Sequence, residues 1–367
     1  MTKRVLVIGG YGNFGGFISK LLATEHNIQL IVAGRSLEKA TAFVAELKSV
    51  NVAQSVALNI NSNLSESLAT LNPDIVIHTS GPFQTQEYTV AKACIEQGCH
   101  YIDLADGREF VENISTLDSN ATSKNVLIIS GASSVPCLTS ALVDHYQTEF
   151  DTLETLDYGI TTAQKTTRGL ATTASILGYT GKRFKTIING KPTDIYGWQD
   201  LHLWRYQELG LRLLSNCDVP DLALFPKRYP KLKSIRFFAG LEIPFIHGTL
   251  WLLSWLVRFG MIKNLQAAAP VLLRISFFFD WLGTGSSAFH MKLSGKLNDG
   301  TPKNITFQLT ARSGDGPYIP CIPAVLLAKK LASTELTATG AHACMGFISL
   351  EEYLGALKPL DITWSVK

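Results

Sequence analysis

Val5-Leu6-Val7-Ile8-Gly9-Gly10-Tyr11-Gly12-Asn13-Phe14-Gly15 is the stretch whose reading decides the fold. Its four apolar residues, three of them β-branched, read as a short strand buried on both faces. The G-x-G-x-x-G from Gly10 to Gly15 follows at once and opens a helix-period segment, Phe14 to Thr24. In such a turn the first glycine permits the sharp reversal, the second lets backbone approach a pyrophosphate, and the third lets helix pack on strand. The helix N-terminus then offers free N–H groups to the anion. The alternative is a glycine-rich turn that binds nothing. With a strand before it and a helix after it, the motif predicts a dinucleotide site contacted by Gly10, Tyr11, Gly12, Asn13, Phe14 and Gly15.

Outward from this turn, short β-branched runs alternate with helix-period segments up to about residue 150, the pattern of βαβ units around a parallel sheet. Six strands are predicted: Val5 to Ile8, Gln29 to Ala33, Ser55 to Leu58, Ile75 to His78, Tyr101 to Leu104 and Val126 to Ile129. Helices are expected over Phe14 to Thr24, Leu37 to Lys48 and Glu87 to Gln97. About twenty residues past the last glycine, an acid would mark NAD by bonding the ribose 2′-OH. The second strand ends instead in Ala33-Gly34-Arg35-Ser36. A guanidinium and a hydroxyl there suit a 2′-phosphate, so NADP is expected over NAD, although Ser36 can equally cap the next helix.

Composition agrees with a folded, apolar protein. Of 367 residues, 46% are hydrophobic and only 17% charged, which excludes intrinsic disorder. Thirty-three basic against thirty acidic side chains leave +3, too mild and too scattered for a nucleic-acid footprint. Six cysteines without a C-x-x-C pair suggest neither a disulfide framework nor a metal site. The apolar run after Arg4 enters glycine too soon for a signal peptide. A cytoplasmic protein, or one peripheral to a membrane, is therefore expected.

Beyond Phe150 the rhythm changes, and an α+β substrate domain is expected over 151–345, with 346–367 returning to the Rossmann domain of 1–150. Asn298-Asp299-Gly300 predicts a hairpin between His290 to Leu297 and Asn304 to Ala311. Helices are expected over Ala324 to Leu331 and Ser349 to Ala356. The densest aromatic region is 235–282. Within it Ile243 to Val257 carries no formal charge but falls short of the ~20 residues of a spanning helix. It is a core or subunit-interface helix, a lid over an apolar substrate, or a helix lying in a membrane surface. A homo-oligomer is expected.

Four further motifs occur in order and at matching spacing: Ser80-Gly81-Pro82-Phe83, the helix end Ala91-Lys92-Ala93-Cys94-Ile95-Glu96-Gln97-Gly98, the strand His100-Tyr101-Ile102-Asp103-Leu104, and Gly131-Ala132-Ser133-Ser134-Val135-Pro136. They resemble the saccharopine dehydrogenase family, in its saccharopine reductase-like NADP-binding branch. The resemblance implies an NAD(P)-dependent oxidoreductase, with Ser80, Gly81, Pro82 and Phe83 against the cofactor and the ends of the fourth to sixth strands facing the nicotinamide. The second domain looks closer to saccharopine dehydrogenase-like oxidoreductases of unassigned substrate than to the amino-acid enzymes.

Hydride chemistry needs a proton donor near the developing charge. Asp103 is the first candidate and Tyr101, on the same face of its strand, the second, followed by His100. Asp103 can alternatively cap the loop toward Gly107. His78 reads as a buried neutral histidine, with a cofactor or proton-relay role as the alternative, and Cys137 as a buried inert cysteine, with a reactive thiol as the alternative. In the second domain the polar stretch Thr161 to Gly169 offers Lys165 and Arg168 to orient a substrate anion. The expected reaction is hydride transfer between NADP(H) and a small or lipid-like substrate, an amino-acid imine or an enoyl group. The competing class is an NADP-binding sensor or membrane-associated scaffold without turnover.

Overall fold

The computed structural model describes residues 2–367. The chain divides into two compact units, Met1–Ala141 with Tyr318–Tyr353 and Leu142–Pro317 with Leu354–Lys367. The sequence expectation places the return segment at 346–367. In the structure the segment that rejoins the first unit is Tyr318–Tyr353, and the last strand belongs to the second. Nothing local in a short β-branched tail specifies which sheet edge it will pair with.

In the first unit, β1 (Lys3–Ile8), β2 (Ile28–Gly34), β3 (Gln54–Ala57), β4 (Ile75–His78), β5 (His100–Asp103) and β6 (Leu127–Ser130) lie within two residues of the six predicted strands. A seventh strand, Gly340–Ala343, pairs in parallel with β6. The sheet order is Gly340–Ala343, β6, β5, β4, β1, β2, β3, all parallel. Helices cover both faces, which is why Val5, Leu6 and Val7 are fully enclosed. This is a Rossmann-type α/β sheet. Its strand order reverses between β1 and β4, so a crevice opens beyond the carboxyl ends of these two strands.

The second unit is built on a mixed sheet of β7 (Thr152–Thr162), β10 (His202–Tyr206), β11 (Gly210–Asn216), β12 (Ser234–Leu241), β13 (Ser287–Lys296), β14 (Pro302–Ala311) and the last strand Ile362–Val366. A separate hairpin comprises β8 (Arg183–Ile188) and β9 (Lys191–Tyr196). Sheet order is β10, β11, β12, β7, β13, β14, last strand, with β12 and β7 parallel. The predicted hairpin is present: β13 and β14 run antiparallel from Ser287–Ala311 to Lys296–Pro302, and Gly300 takes φ +83° at its tip. The longest helix here, Pro244–Arg258, has 15 residues. Among the described residues no helix is long and apolar enough to cross a membrane.

Candidate functional site

The glycine turn lies at the reversal point of the first sheet. The residue that turns the chain is Gly9, with φ +79°, one position ahead of the motif read from the sequence. A Cβ there would also stand 2.6 Å from Thr79 Oγ1 and 2.8 Å from Ser80 Oγ, so the turn presses against the end of β4. Gly15 permits the closest approach: its Cβ would lie 2.1 Å from the Gly9 carbonyl oxygen, and only a bare Cα lets the helix start this near the turn. The helix Asn13–Leu22 begins at Gly12, with no capping side chain and no acid in its first turn. Its first N–H groups and the positive end of its dipole thus face the crevice uncompensated, the arrangement that accepts a pyrophosphate.

At the end of β2 lie Arg35 and Ser36, read from the sequence as adenosine-side residues. Arg35 is exposed. Ser36 caps the helix Leu37–Glu46 through Lys39 N–H at 3.3 Å, so the capping role read from the sequence is real. The Ser36 backbone N–H donates to the Tyr11 hydroxyl at 3.1 Å. With an exposed cation and no acid between Ala33 and Ser36, the residues present fit a dinucleotide.

Beyond β4, Thr79 donates its hydroxyl to the Ile8 carbonyl at 2.9 Å, closing the crevice wall between β1 and β4. The Ser80–Phe83 turn is held by Gln86, whose Nε2 donates to the carbonyls of Ser80 at 2.7 Å and Pro82 at 3.0 Å. Ser80, Gly81 and Pro82 are half-buried at this edge. Phe83 points inward, 4% exposed, with its ring centroid 5.1 Å from that of His78 in an edge-on contact. Phe83 therefore supports the turn from below. Gly9 and Thr79 belong to the site and were missed in the sequence. The Gly9-Gly10 doublet was a usable signal for the first, whereas nothing local marks the second.

Asp103 and Tyr101 share a face, as strand alternation requires, and that face is interior: they are 0% and 1% exposed. Asp103 Oδ1 accepts the N–H of Ala105 at 2.9 Å, the N–H of Gly131 at 2.9 Å and the Ser130 hydroxyl at 3.0 Å. One carboxyl thus locks the carboxyl end of β5 to that of β6. Burial raises its pKa to about 6 against the pull of these hydrogen bonds. The Tyr101 hydroxyl stands 3.1 Å from His78 Nδ1, and burial with the nearby Asp103 charge pushes the phenol well up. Burial holds His78 down at about 4, so it is neutral at physiological pH. His100 Nδ1 accepts the Leu127 N–H at 3.0 Å, tying β5 to β6 from the other side. Cys137 is 2% exposed. Asp103 and Tyr101, expected as proton donors at the cleft, are enclosed within the first unit, where one carboxylate oxygen of Asp103 is taken up by the ends of β5 and β6 and the other, Oδ2, is buried without a hydrogen-bond partner.

Lys165 and Arg168 belong to the second unit. Lys165 is exposed, and its backbone N–H donates to the Thr284 carbonyl at 2.9 Å. Arg168 pairs with Asp280 at 2.5 Å, donates to the Gln164 carbonyl, and lies 4.7 Å from the Phe277 ring centroid. Its charge is answered inside the unit.

Residues 5–129 match the family model described as the saccharopine dehydrogenase NADP binding domain. Among solved structures, the apo saccharopine dehydrogenase (L-Glu forming) from Saccharomyces cerevisiae is similar with a TM-score of 0.68 at 14% identity, over 100% of both chains. The amine dehydrogenase from Mycobacterium smegmatis gives 0.49 at 10% identity, over 94% of this chain and 95% of that one. No curated protein sequence matches. The yeast enzyme shares the Rossmann-plus-second-domain fold over its full length. A glycine turn at the sheet's reversal point, a family match over that same sheet and a full-length fold likeness converge. Residues 5–129 thus match the saccharopine dehydrogenase NADP binding domain, and the chain as a whole shares the fold of the yeast enzyme.

Proposed function

We propose that this protein is an NADP-dependent oxidoreductase that transfers hydride between NADP(H) and a small, lipid-like molecule. The observation that carries the cofactor choice is the end of β2, where an exposed Arg35 beside Ser36 replaces the acid that would favour a free 2′-OH. Gly9 and Gly15 permit the tight turn and the close helix start, the helix from Asn13 supplies N–H donors to the pyrophosphate, and Ser80–Pro82 borders the crevice at the end of β4. When bound, the nicotinamide supplies or accepts the hydride. Asp103 and Tyr101 act as positioning residues. Asp103 fixes the β5 and β6 ends, and Tyr101 hydrogen-bonds His78, which burial keeps neutral, beneath the Ser80–Phe83 turn.

The lipid-like class, favoured over an imine of the saccharopine type, rests on the second unit's arginines. A substrate with several carboxylates needs free guanidinium forks. Here six of the unit's nine arginines, Arg168, Arg183, Arg212, Arg228, Arg236 and Arg312, each pair with a carboxylate of the same unit, and the other three, Arg205, Arg258 and Arg274, are exposed.

The test is a fluorescence titration of the protein with NADPH and NADH, on wild type and on Arg35→Ala. Tighter NADPH binding that weakens about tenfold or more in the variant, the worth of a charge-assisted contact, is expected. Equal affinities, or a preference that survives the substitution, refute the NADP assignment. NADPH binding with no oxidation across enoyl and imine panels would favour the sensor class instead.

A further inference from the structure

We propose that the second unit docks on an anionic lipid bilayer through the surface formed by Pro244–Leu282. The helix Pro244–Arg258 is inverted relative to an ordinary surface helix, which turns its polar residues to solvent. Its enclosed positions are His247, Leu250 and Ser254. His247 Nε2 lies 2.9 Å from Ser215 Oγ, and Ser254 Oγ donates to the Trp251 carbonyl at 2.6 Å. The outward stripe is mainly apolar: Phe245, Leu252 and, just past the helix end, Phe259 are 50%, 56% and 68% exposed, and the exposed Thr249 between them turns its hydroxyl back to the Phe245 carbonyl at 2.9 Å.

This stripe is continuous with a second apolar surface. The Phe245 and Phe279 rings meet edge-on at 5.1 Å, joining the helix start to the end of the segment that carries helix Ala269–Phe277. There Phe278 and Trp281 are 76% and 75% exposed, with Phe277 at 46% beside them. Isolated exposed apolar residues are ordinary, but a contiguous aromatic surface marks an interaction site.

Charge identifies the occupant. From Ile243 to Phe279 the chain contains no Asp or Glu, while Arg258, Lys263 and Arg274 are all exposed. The flanking acids are committed: Glu242 accepts the N–H groups of Gln164 and Thr284, and Asp280 pairs with Arg168. A two-fold contact with a second copy would set these cations against their own kind. An anionic headgroup layer over acyl chains complements both the cations and the aromatic stripe. Fifteen helical residues span roughly 22 Å, short of the ~30 Å hydrocarbon core, so the helix lies in the interface plane.

The experiment is vesicle co-sedimentation of the full chain, with phosphatidylcholine alone and with added phosphatidylglycerol, and needs no turnover. Binding to the anionic vesicles that weakens with salt is expected. Phe278→Ser with Trp281→Ser should lower the partition about tenfold or more. Lys263→Glu with Arg274→Glu should remove the preference for phosphatidylglycerol. These side chains are exposed, so unchanged thermal unfolding checks that each variant is folded. Absence of vesicle binding by wild type, or equal binding by all variants, overturns the proposal. So does concentration-dependent self-association that the Phe278 and Trp281 substitutions abolish without any vesicle binding, which would assign the surface to a second copy.

Discussion

The hydroxyl of Tyr11 accepts the backbone N–H of Ser36 at 3.1 Å, bridging the glycine turn and the end of β2. The Tyr11 ring fills the space a side chain on Gly34 would need, its Cε1 2.3 Å from the position of a Cβ there. The two regions proposed to grip opposite parts of a dinucleotide are therefore coupled through one side chain. Gly34→Ala should displace Tyr11 and weaken nucleotide binding more than Tyr11→Phe, which loses one hydrogen bond worth about 1 kcal/mol. Equal affinities for both variants and wild type in a nucleotide titration would refute the coupling.

Gly15→Ala is expected to be the most damaging substitution in the turn. Its methyl would sit 2.1 Å from the Gly9 carbonyl oxygen, which is backbone and cannot swing aside. Overpacking of this kind costs about 1–3 kcal/mol, and nucleotide binding should fall with it because the helix start must retreat. Chemical denaturation and the nucleotide titration measure the two effects separately.

Asp103 and His78 should oppose each other in the pH dependence of stability. The folded Asp103 titrates near 6 rather than 3.8, so between these values the native state holds the extra proton and the contribution of this group falls as pH rises. The folded His78 titrates near 4 rather than 6.5, so over almost the same window the unfolded state holds the extra proton and stability rises with pH. Asp103→Asn should steepen the loss of stability on acidification from pH 6 to 4, and His78→Gln should flatten it. Melting temperatures across that range for both variants decide the matter; parallel profiles would contradict it.

Arg168→Ala should act first on stability. The guanidinium is bound to Asp280 and to the Gln164 carbonyl, so Arg168→Ala and Asp280→Ala should each destabilise the protein while the double variant costs less than their sum, with a coupling of about 1 kcal/mol. A strictly additive cycle would show that the pair contributes nothing. Normal stability in Arg168→Ala combined with a raised KM would instead restore its expected role toward a substrate anion.

Much of the first unit was legible because its signals are local. A β-branched run, a glycine turn and a 3.6-residue period each lie within a dozen residues, and a parallel sheet covered on both faces leaves apolar strands such as Ile75 to His78 unmistakable. The hairpin at Asp299-Gly300 was readable for the same reason. The roles of Asp103 and Arg168 were not. Their partners Ser130 and Gly131 lie 27 and 28 residues from Asp103, and Asp280 lies 112 residues from Arg168.

The sequence by itself determined the strands β1 to β6, the glycine turn at Gly10 to Gly15 and the cationic end of β2, because each depends on neighbours in the chain. Only the tertiary structure decided that Asp103 faces inward, that Arg168 is neutralised, and that the helix Pro244–Arg258 hides His247 and Ser254 while showing Phe245, Leu252 and Phe259. Composition records how apolar a helix is. Which of its faces meets solvent is set by what packs against it, and His247 finds that partner in Ser215, on a strand 32 residues earlier.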